Sequence, residues 1–576
     1  MRVQYLLLGL LCVFAFGLRI INIGQHGIAG DEKTSFFVSQ FIALGGVNQE
    51  DIFKKPNNPY FTPQEFWKKK TKDDFYVAEA RSDNGSSALY ALTLHYWTQL
   101  FGVDDGTLRG LSAFFGVLLV ALIYFFVLDY FQSTHLALAT AALASVEPLY
   151  VGWSQVVRTY SMTFFFCLLA TWLFFKLLEL EKTKQKPAGL YAVYGVCVFA
   201  CLMFHYSVFV LFVLHGLLVL LFVRQWRAWV GLGLAMVIPA LGMCWWLFFS
   251  EGGKYAFRFM ADSARVYSLM ATKDPQIGYL APTAAFSVFV QMLPVVANHY
   301  LPTNGFFDAL LGKKNLLIAL FGTVSSVGIY ASVLNEKIKK GAIAGIFLVA
   351  FLLYSESKLQ FTGLSVALVL LLMLVQDTFQ QRGQLKHKYL SMWILSIFPL
   401  LFLVAFAIQD GNTFRIQQKY AGYGMVFSLI LVVLAVRKMW TYPNWIKYPM
   451  TLLLIIQLGF VGKTIQSIWA DTAPRYLLFS TPRLPNPYRA VAQQIIKKCT
   501  PTDTIVYPSY LGEGVIYAVD APQYSLNDAQ LVNFYLPPTA QYWQRINPAE
   551  SNKIYLKRAN GTQELLFDFK GTTYRY

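Results

Sequence analysis

The sequence predicts a polytopic α-helical membrane protein with outer-face interfacial helices and a C-terminal soluble α/β domain. Three observations support this. The 576-residue chain is 56% hydrophobic and 14% charged, and its mean hydropathy is +0.45, values typical of integral membrane proteins. Apolar runs of about 16–22 residues recur between short polar connectors, as in helical bundles and unlike β-barrels. The chain becomes polar after about residue 470.

The first apolar run, residues 5–23, is predicted to be a retained signal anchor, because no small-residue cleavage site follows it. It is followed by a long polar first outer loop, 25–106, with predicted amphipathic helices at 36–44 and 63–70. Residues 86–101 are short for a span and carry polar and aromatic side chains suited to an interface, so we predict an interfacial helix there.

Charge sets the predicted orientation. The net charge of +17 lies largely in short connectors, and the positive-inside rule places these in the cytoplasm if 86–101 does not span. The excess charge therefore reports topology and does not indicate nucleic-acid binding. About 13 spans result: 5–23, 108–130, 134–150, 160–180, 189–205, 207–223, 229–249, 315–334, 341–355, 359–376, 390–408, 421–437 and 448–466. Residues 283–301 are predicted to be interfacial or re-entrant.

The predicted domains are a membrane domain, 1–468, and a soluble outer domain, 469–576. The soluble domain is expected to contain an amphipathic helix (488–498), a strand (503–507), a helix near 512–518 and a terminal hairpin. The hairpin strands are 553–558 and 564–569, with Asn560-Gly561 as a turn pair of the kind favoured in two-residue hairpin loops.

Several site types are disfavoured. Five of the six cysteines lie in apolar runs, and only Cys499 lies in a polar region, which argues against disulfides and a zinc cluster. The chain lacks a glycine-rich nucleotide loop ending in Lys-Ser/Thr, a His-Glu-x-x-His motif and a convincing Ser-His-Asp arrangement. The predicted spans hold few charges near mid-depth, which argues against an ion-coupled transporter.

Asp31 and Glu32 are the candidate centre of the protein, because they follow directly on the first predicted span. Acids at a lipid–water boundary are costly to desolvate, and such acids usually serve chemistry, an ion pathway or a buried ion pair. The alternative is a helix cap, with Asp31 at the N-cap of a helix over 34–44.

The other predicted outer loops add further ionisable groups, namely Glu147, Arg158, Lys254, Arg258, Arg265, Arg415 and Lys419. A carboxylate beside cations suits transfer of a sugar from a phosphate leaving group, because the carboxylate takes the acceptor proton and the cations offset charge on the phosphate. For any single cation, binding of a lipid headgroup is the alternative.

Three stretches carry a family resemblance: Leu89 to Trp97, Phe101 to Ala113, and Pro148 to Tyr160 with its Ser154-Gln155-Val156-Val157-Arg158 core. Together with the acid pair they resemble the polyprenyl-phosphate-sugar-dependent glycosyltransferases of the C-type membrane fold, such as protein O-mannosyltransferases and the lipid A aminoarabinose transferase. The second half of the chain is similar mainly in layout, plus Lys419-Tyr420.

The resemblance implies an inverting transfer from a polyprenyl-phosphate sugar to a lipid, glycan or protein acceptor, without a nucleotide sugar. The reaction would occur at the periplasmic face of a bacterial inner membrane. Asp31 would be the catalytic base or the group that orients the acceptor, and Glu32 its companion. Glu147 is a candidate for a second acid, with a capping or structural role as the alternative. The carrier phosphate would be held from among Arg158, Tyr160, Arg258, Arg265, Arg415, Lys419 and Tyr420. The resemblance implies a reaction that, in these branches of the family, usually needs no metal. A requirement for a divalent ion, magnesium or manganese, is the alternative.

Two stretches depart from the family pattern. Many members carry His-Pro-Pro where this chain has residues 84–87, Asn-Gly-Ser-Ser, and Val156 stands where members often have Glu. Two other functions therefore stay open. One is a lipid or sugar flippase or transporter, and the other is an inactive binding protein on the same fold.

Overall fold

The computed structural model describes residues 2–28, 30–82, 85–183, 185, 188–258, 286–287, 313–355, 358–411, 413, 416–472, 485–511 and 524–569. Helices dominate these residues, and a small sheet lies towards the C terminus. The first helix and first loop contain α1 (Arg2–Ile20), α2 (Asp31–Ser39), α3 (Glu50–Phe53), β1 (Tyr60–Phe61), α4 (Pro63–Phe66), α5 (Lys72–Ser82) and α6 (Ala88–Phe101).

The helix bundle continues to residue 469. Its helices are α7 (Asp105–Phe131), α8 (Thr134–Val146), α9 (Pro148–Ser154), α10 (Tyr160–Lys182), α11 (Ala188–Phe204), α12 (Phe209–Phe222), α13 (Trp226–Ala235), α14 (Val237–Phe249), α15 (Lys313–Ala331), α16 (Glu336–Leu353), α17 (Lys358–Gln380), α18 (Gly383–Asp410), α19 (Gln418–Ala421), α20 (Met425–Met439) and α21 (Asn444–Trp469).

The predicted polytopic fold is confirmed. Among the described residues, eight helical segments are long and apolar enough to cross a membrane, and a bent pair and three shorter apolar helices add to these. Every predicted span coincides with helical residues. One span is wrong in detail, since 134–150 is broken between α8 and α9, which meet at 56°. Pro148 explains the break, because its ring disfavours a helical conformation at Glu147, whose ψ is 117°.

The bundle is centred on α7, which packs against α1, α8 and α10. Helix α8 presents Ala137, Ala141 and Ala144 at helical spacing, and all three are fully buried. Small side chains at such positions allow neighbouring helices to approach closely. This packing holds the ends of α1, α7 and α10 together on one face of the bundle, which we call the loop face.

In the first loop, the predicted helix at 36–44 is shifted. Helix α2 covers Asp31–Ser39 and ends because Phe41 adopts a left-handed φ of 59°. The predicted helix at 63–70 is shorter than expected, and it begins at a capping box in which Thr62 and Glu65 cap each other. The predicted helix at 86–101 is confirmed as α6.

Among the described residues, the C-terminal part contains two helices and six strands: α22 (Pro487–Lys498), β2 (Thr504–Pro508), β3 (Tyr510–Leu511), β4 (Tyr524–Ser525), α23 (Asn527–Asn533), β5 (Trp543–Asn547), β6 (Lys553–Lys557) and β7 (Gln563–Asp568). The larger sheet has the order β1-β5-β2-β6-β7, with β2 and β5 parallel and its other neighbours antiparallel. Strands β3 and β4 form a separate pair.

The C-terminal predictions hold where the structure describes them. The helix and the first strand match α22 and β2, and the hairpin matches β6 and β7, with Gly561 in its turn at a φ of 87°. The predicted helix near 512–518 lies outside the described residues, as does 283–301 apart from residues 286–287.

The edge strand of the larger sheet comes from the first loop. Tyr60 of β1 pairs with Arg545 of β5, so the first loop and the residues after 469 share one sheet. The described C-terminal strands therefore contact the first loop directly.

Candidate functional site

The loop face brings Asp31 to the start of α2. Gly30 occupies the N-cap with a φ of 47°, a left-handed conformation that glycine adopts without steric penalty. Asp31 is therefore the first helical residue and does not act as the cap. An acid in the first turn is favoured by the helix dipole.

Two basic side chains lie beside Asp31. The Nζ atom of Lys419 is 3.7 Å from Oδ2 of Asp31, and the two side chains are 6% and 32% exposed. Arg158 is buried, and its Nη1 atom donates to Oγ of Ser35 at 3.1 Å and to the backbone oxygen of Asp31 at 3.4 Å. We call Asp31, Arg158 and Lys419 the acid–cation cluster. Its carboxylate remains partly accessible while its two cations are almost enclosed.

Two tyrosines line the cluster. The Nζ atom of Lys419 lies 5.1 Å from the ring centroid of Tyr420 and 5.8 Å from that of Tyr160, distances at which the ring faces stabilise a cation. The structure thus brings together five of the predicted residues, Asp31, Arg158, Tyr160, Lys419 and Tyr420, from three separate parts of the chain.

His205 also borders the cluster and was not predicted. It lies in the turn between α11 and α12, and its ring centroid is 5.5 Å from that of Tyr160 and 5.3 Å from that of Tyr420. Burial, and then the charges of Arg158 and Lys419, lower the pKa of His205 to about 3. The imidazole is therefore uncharged at neutral pH. A single histidine between two apolar runs gives no sequence signal for such a role.

Glu32 is placed differently from Asp31. It is fully buried, and Arg109 binds both of its oxygens, from Nε at 2.8 Å and from Nη2 at 2.9 Å. The backbone N–H of Val157 also donates to Glu32, at 3.0 Å. The adjacent acids therefore have separate environments, one partly accessible beside cations and the other enclosed in a two-pronged ion pair.

Arg109 also fixes the path of the chain between α1 and α2. Its guanidinium donates to the backbone oxygens of Ile23, His26 and Gly27 at 2.6–2.9 Å. The sequence-level resemblance included Arg109 in its second stretch but assigned it no role. Its partner is 77 residues away, and no local pattern reveals that pairing.

The other predicted residues lie elsewhere or are not described. Glu147 is buried at the bend between α8 and α9. Arg258 is exposed at the end of the helical residues 251–258. Arg265 and Arg415 lie outside the described residues. Within the described part of the chain, no group of three or more His, Cys, Asp or Glu side chains is arranged to hold a metal ion.

The C-terminal part covers α2 on the side away from the bundle. The ring of Phe534 lies 4.4 Å from that of Phe36 and 5.1 Å from that of Phe37. The Nζ atom of the buried Lys33 lies 5.6 Å from the ring centroid of Tyr488. Helix α2 is thus held between the bundle and the C-terminal part, which fixes the backbone that carries Asp31.

A second contact joins the C-terminal part to the bundle. The side chain of Asn486 caps α22 and donates to both carboxylate oxygens of Asp105, at 3.0 and 3.2 Å. Asp105 also accepts from the backbone N–H of Ile28 at 3.3 Å, three residues before Asp31. Arg489 pairs with Asp104 at 2.8 Å.

Residues 87–248 match the sequence model of a family described as dolichyl-phosphate-mannose-protein mannosyltransferase. This match confirms the predicted resemblance to polyprenyl-phosphate-sugar-dependent glycosyltransferases over those residues. The matched range includes Arg109, Arg158, Tyr160 and His205. No curated protein matches the chain in a sequence search.

Similar solved structures include the oligosaccharyltransferase of Archaeoglobus fulgidus in complex with Zn and sulfate, at 12% identity and a TM-score of 0.45, over 95% of this chain and 63% of that one. The present chain thus spans less than two thirds of that protein's length. They also include ArnT from Cupriavidus metallidurans in the apo state, at 13% identity and a TM-score of 0.38, over 94% of this chain and 86% of that one. The structure of ArnT bound to undecaprenyl phosphate matches at 13% identity and a TM-score of 0.37, over 92% of this chain and 84% of that one.

Proposed function

We propose that the chain is an integral membrane glycosyltransferase that moves a sugar from a polyprenyl-phosphate carrier to an acceptor, with inversion at the anomeric carbon. The observation that carries the proposal is the acid–cation cluster, in which an accessible carboxylate and two enclosed cations meet. The family match over residues 87–248 supports the same reaction class.

The cluster suits a single displacement. The acceptor hydroxyl or amide attacks the anomeric carbon while its proton passes to the carboxylate of Asp31. The bond between the anomeric carbon and the phosphate oxygen breaks, and its electron pair stays on the carrier phosphate. Lys419 and Arg158 offset the negative charge that collects there, and such preorganised charges stabilise a transition state. Attack from the side opposite the phosphate inverts the configuration.

We assign Glu32 a positioning role in this scheme. Both of its oxygens already bind Arg109, and one also accepts from Val157, so a proton transfer to Glu32 would disrupt the buried ion pair. Among the residues that the structure describes, Asp31 has no comparable two-pronged partner, and its side chain is 32% exposed. In this scheme Asp31 accepts the proton, and Glu32 holds the loop in place through Arg109.

The proposed reaction takes place at the loop face, on the periplasmic side of a bacterial inner membrane. The end of the bundle opposite the loop face carries Lys182, Arg224, Lys386 and Arg437 on connectors or helix ends, and the positive-inside rule places such an end in the cytoplasm. Acceptors of three kinds fit this location: a lipid, a glycan or a protein. No obligatory metal is needed, because Lys419 and Arg158 supply the positive charge.

The test compares purified wild type with Asp31→Asn, each incubated with a panel of polyprenyl-phosphate sugars and a membrane extract as acceptor. Release of the free carrier phosphate is followed by mass spectrometry, with and without a chelator. Asp51→Asn is the matched control, because Asp51 is an exposed acid of the same loop, paired with Lys68.

We expect release by wild type and by Asp51→Asn, with or without chelator, and at least a hundredfold loss in Asp31→Asn, since a positioned general base contributes roughly 10²–10⁴-fold. Turnover near the wild-type rate in folded Asp31→Asn would contradict the assignment of the base. Release from no donor would favour a transporter or an inactive binding protein.

A further inference from the structure

His205 shares its surroundings with the acid–cation cluster. It is the N-cap residue of a short 3₁₀ turn, Tyr206–Val208, between α11 and α12. The rings of Tyr160 and Tyr420 that flank its imidazole also lie beside Nζ of Lys419. The imidazole is therefore a neighbour of the cation proposed to bind the carrier phosphate.

The turn fixes which ring nitrogen carries the proton. Nδ1 of His205 is 3.2 Å from the backbone nitrogen of Ser207, and a backbone N–H can only donate. Nδ1 is therefore the acceptor, and the hydroxyl of Ser207 lies 2.8 Å from the same atom. In a neutral imidazole the proton must then be on Nε2. A protonated ring would carry a hydrogen on Nδ1 as well, and this hydrogen would face the N–H of Ser207.

The Nε2–H group is an available donor. The two ring nitrogens point in different directions, so Nε2 is directed away from the 3₁₀ turn. Within the described residues, no hydrogen bond to Nε2 of His205 is formed, and the atom is not among the fully enclosed polar atoms. A neutral donor next to Lys419 is thus left to bind a ligand.

We propose that His205 binds the carrier phosphate as an uncharged ligand, with its Nε2–H donating to a phosphate oxygen beside Lys419 and Arg158. This inference rests on the proposed function and deepens it. It also excludes His205 as the general base, because the nitrogen that faces the ligand already carries a proton and has no free lone pair. The proton of the acceptor must then pass to Asp31.

The test titrates a polyprenyl monophosphate into wild type and three variants in nanodiscs, from pH 5.5 to 8, with melting temperatures as a check on folding. His205→Ala removes the donor, and His205→Gln retains an N–H at about the same reach. The matched control is His135→Ala, since His135 is exposed at the start of α8, away from the loop face.

We expect His205→Ala to bind the polyprenyl monophosphate about tenfold more weakly, because a hydrogen bond to a charged group raises affinity roughly tenfold or more. His205→Gln should stay within about threefold of wild type, and His135→Ala should not change. The ratio of wild-type to His205→Ala affinity should be constant across the pH range.

Two results would overturn the inference alone: wild-type affinity in folded His205→Ala, or a ratio that grows as the pH falls through 6.5, which would make the imidazolium the binding form. If wild type itself binds no polyprenyl monophosphate, the inference and the proposed function fail together. If wild type binds it and only the Asp31→Asn reaction test fails, the phosphate site stands without the assigned base.

Discussion

Loss of either partner of the buried Arg109–Glu32 ion pair should destabilise the protein strongly, and the two losses should not add. Arg109 and Glu32 are 1% and 0% exposed and joined by two hydrogen bonds of 2.8 and 2.9 Å. Removing one member of such a buried pair costs about 3–5 kcal/mol, because an uncompensated charge is left behind. Arg109→Leu also takes a donor from three backbone oxygens between α1 and α2.

The assay is denaturant unfolding in detergent for wild type, Arg109→Leu, Glu32→Gln and the double variant. We expect each single variant to lose about 3–5 kcal/mol and the double variant to lose clearly less than the sum, because neither buried charge is then left unpaired. Arg109→Lys should fall between Arg109→Leu and wild type, since a lysine keeps the charge but cannot bind both oxygens with a planar fork.

Strict additivity of the two single variants would refute this reasoning, because it would mean that Arg109 and Glu32 do not interact in the folded protein. So would a loss below about 1 kcal/mol in Arg109→Leu, the size expected for an exposed ion pair.

Two further predictions concern the loops and the C-terminal part. Gly85→Ala should prevent stable folding, seen as a loss of the monodisperse peak in size-exclusion chromatography. Gly85 has a φ of 67°, and an added Cβ would overlap the backbone oxygen of Gly252 in the segment after α14. Gly383→Ala is the control, because Gly383 has a similar φ of 57° and no described atom near the position of an added Cβ. Asp503→Asn should lower stability by about 1–2 kcal/mol at pH 7, measured by denaturant unfolding. Burial alone would raise the pKa of Asp503, but hydrogen bonds from Thr500 and Arg558 outweigh it and hold that pKa below 3.8. A lowered pKa stabilises the fold above about pH 4, so the difference from wild type should shrink as the pH falls below that value, and a difference that is constant down to pH 2 would contradict the assignment.

The sequence predicts the membrane architecture well, because the length of an apolar run is a local property set by bilayer thickness. All predicted spans coincide with helical residues, and α6 covers most of the helix expected at 86–101. The bend at Glu147 had a local signal in Pro148, which the apolar run obscured. The start of α2 was misjudged because its first turn is polar.

The composition of the site could be predicted only in part. Asp31, Arg158 and Lys419 were named because charged residues beside apolar runs are conspicuous. The different environments of Asp31 and Glu32 were not predictable, since they depend on Arg109, which is 77 residues away. His205 gave no signal at all, because its role arises from the meeting of α11, α19 and the start of α10.

The strand pairing between Tyr60 and Arg545 has a consequence for biosynthesis. A ribosome adds roughly 5–20 residues per second. Because β5 lies far along the chain from β1, it is synthesised about half a minute or longer after β1. During that interval Phe36 and Phe37 of α2 lack their contacts with Phe534. The loop that bears Asp31 is therefore synthesised early but is covered only after the C-terminal residues have been made.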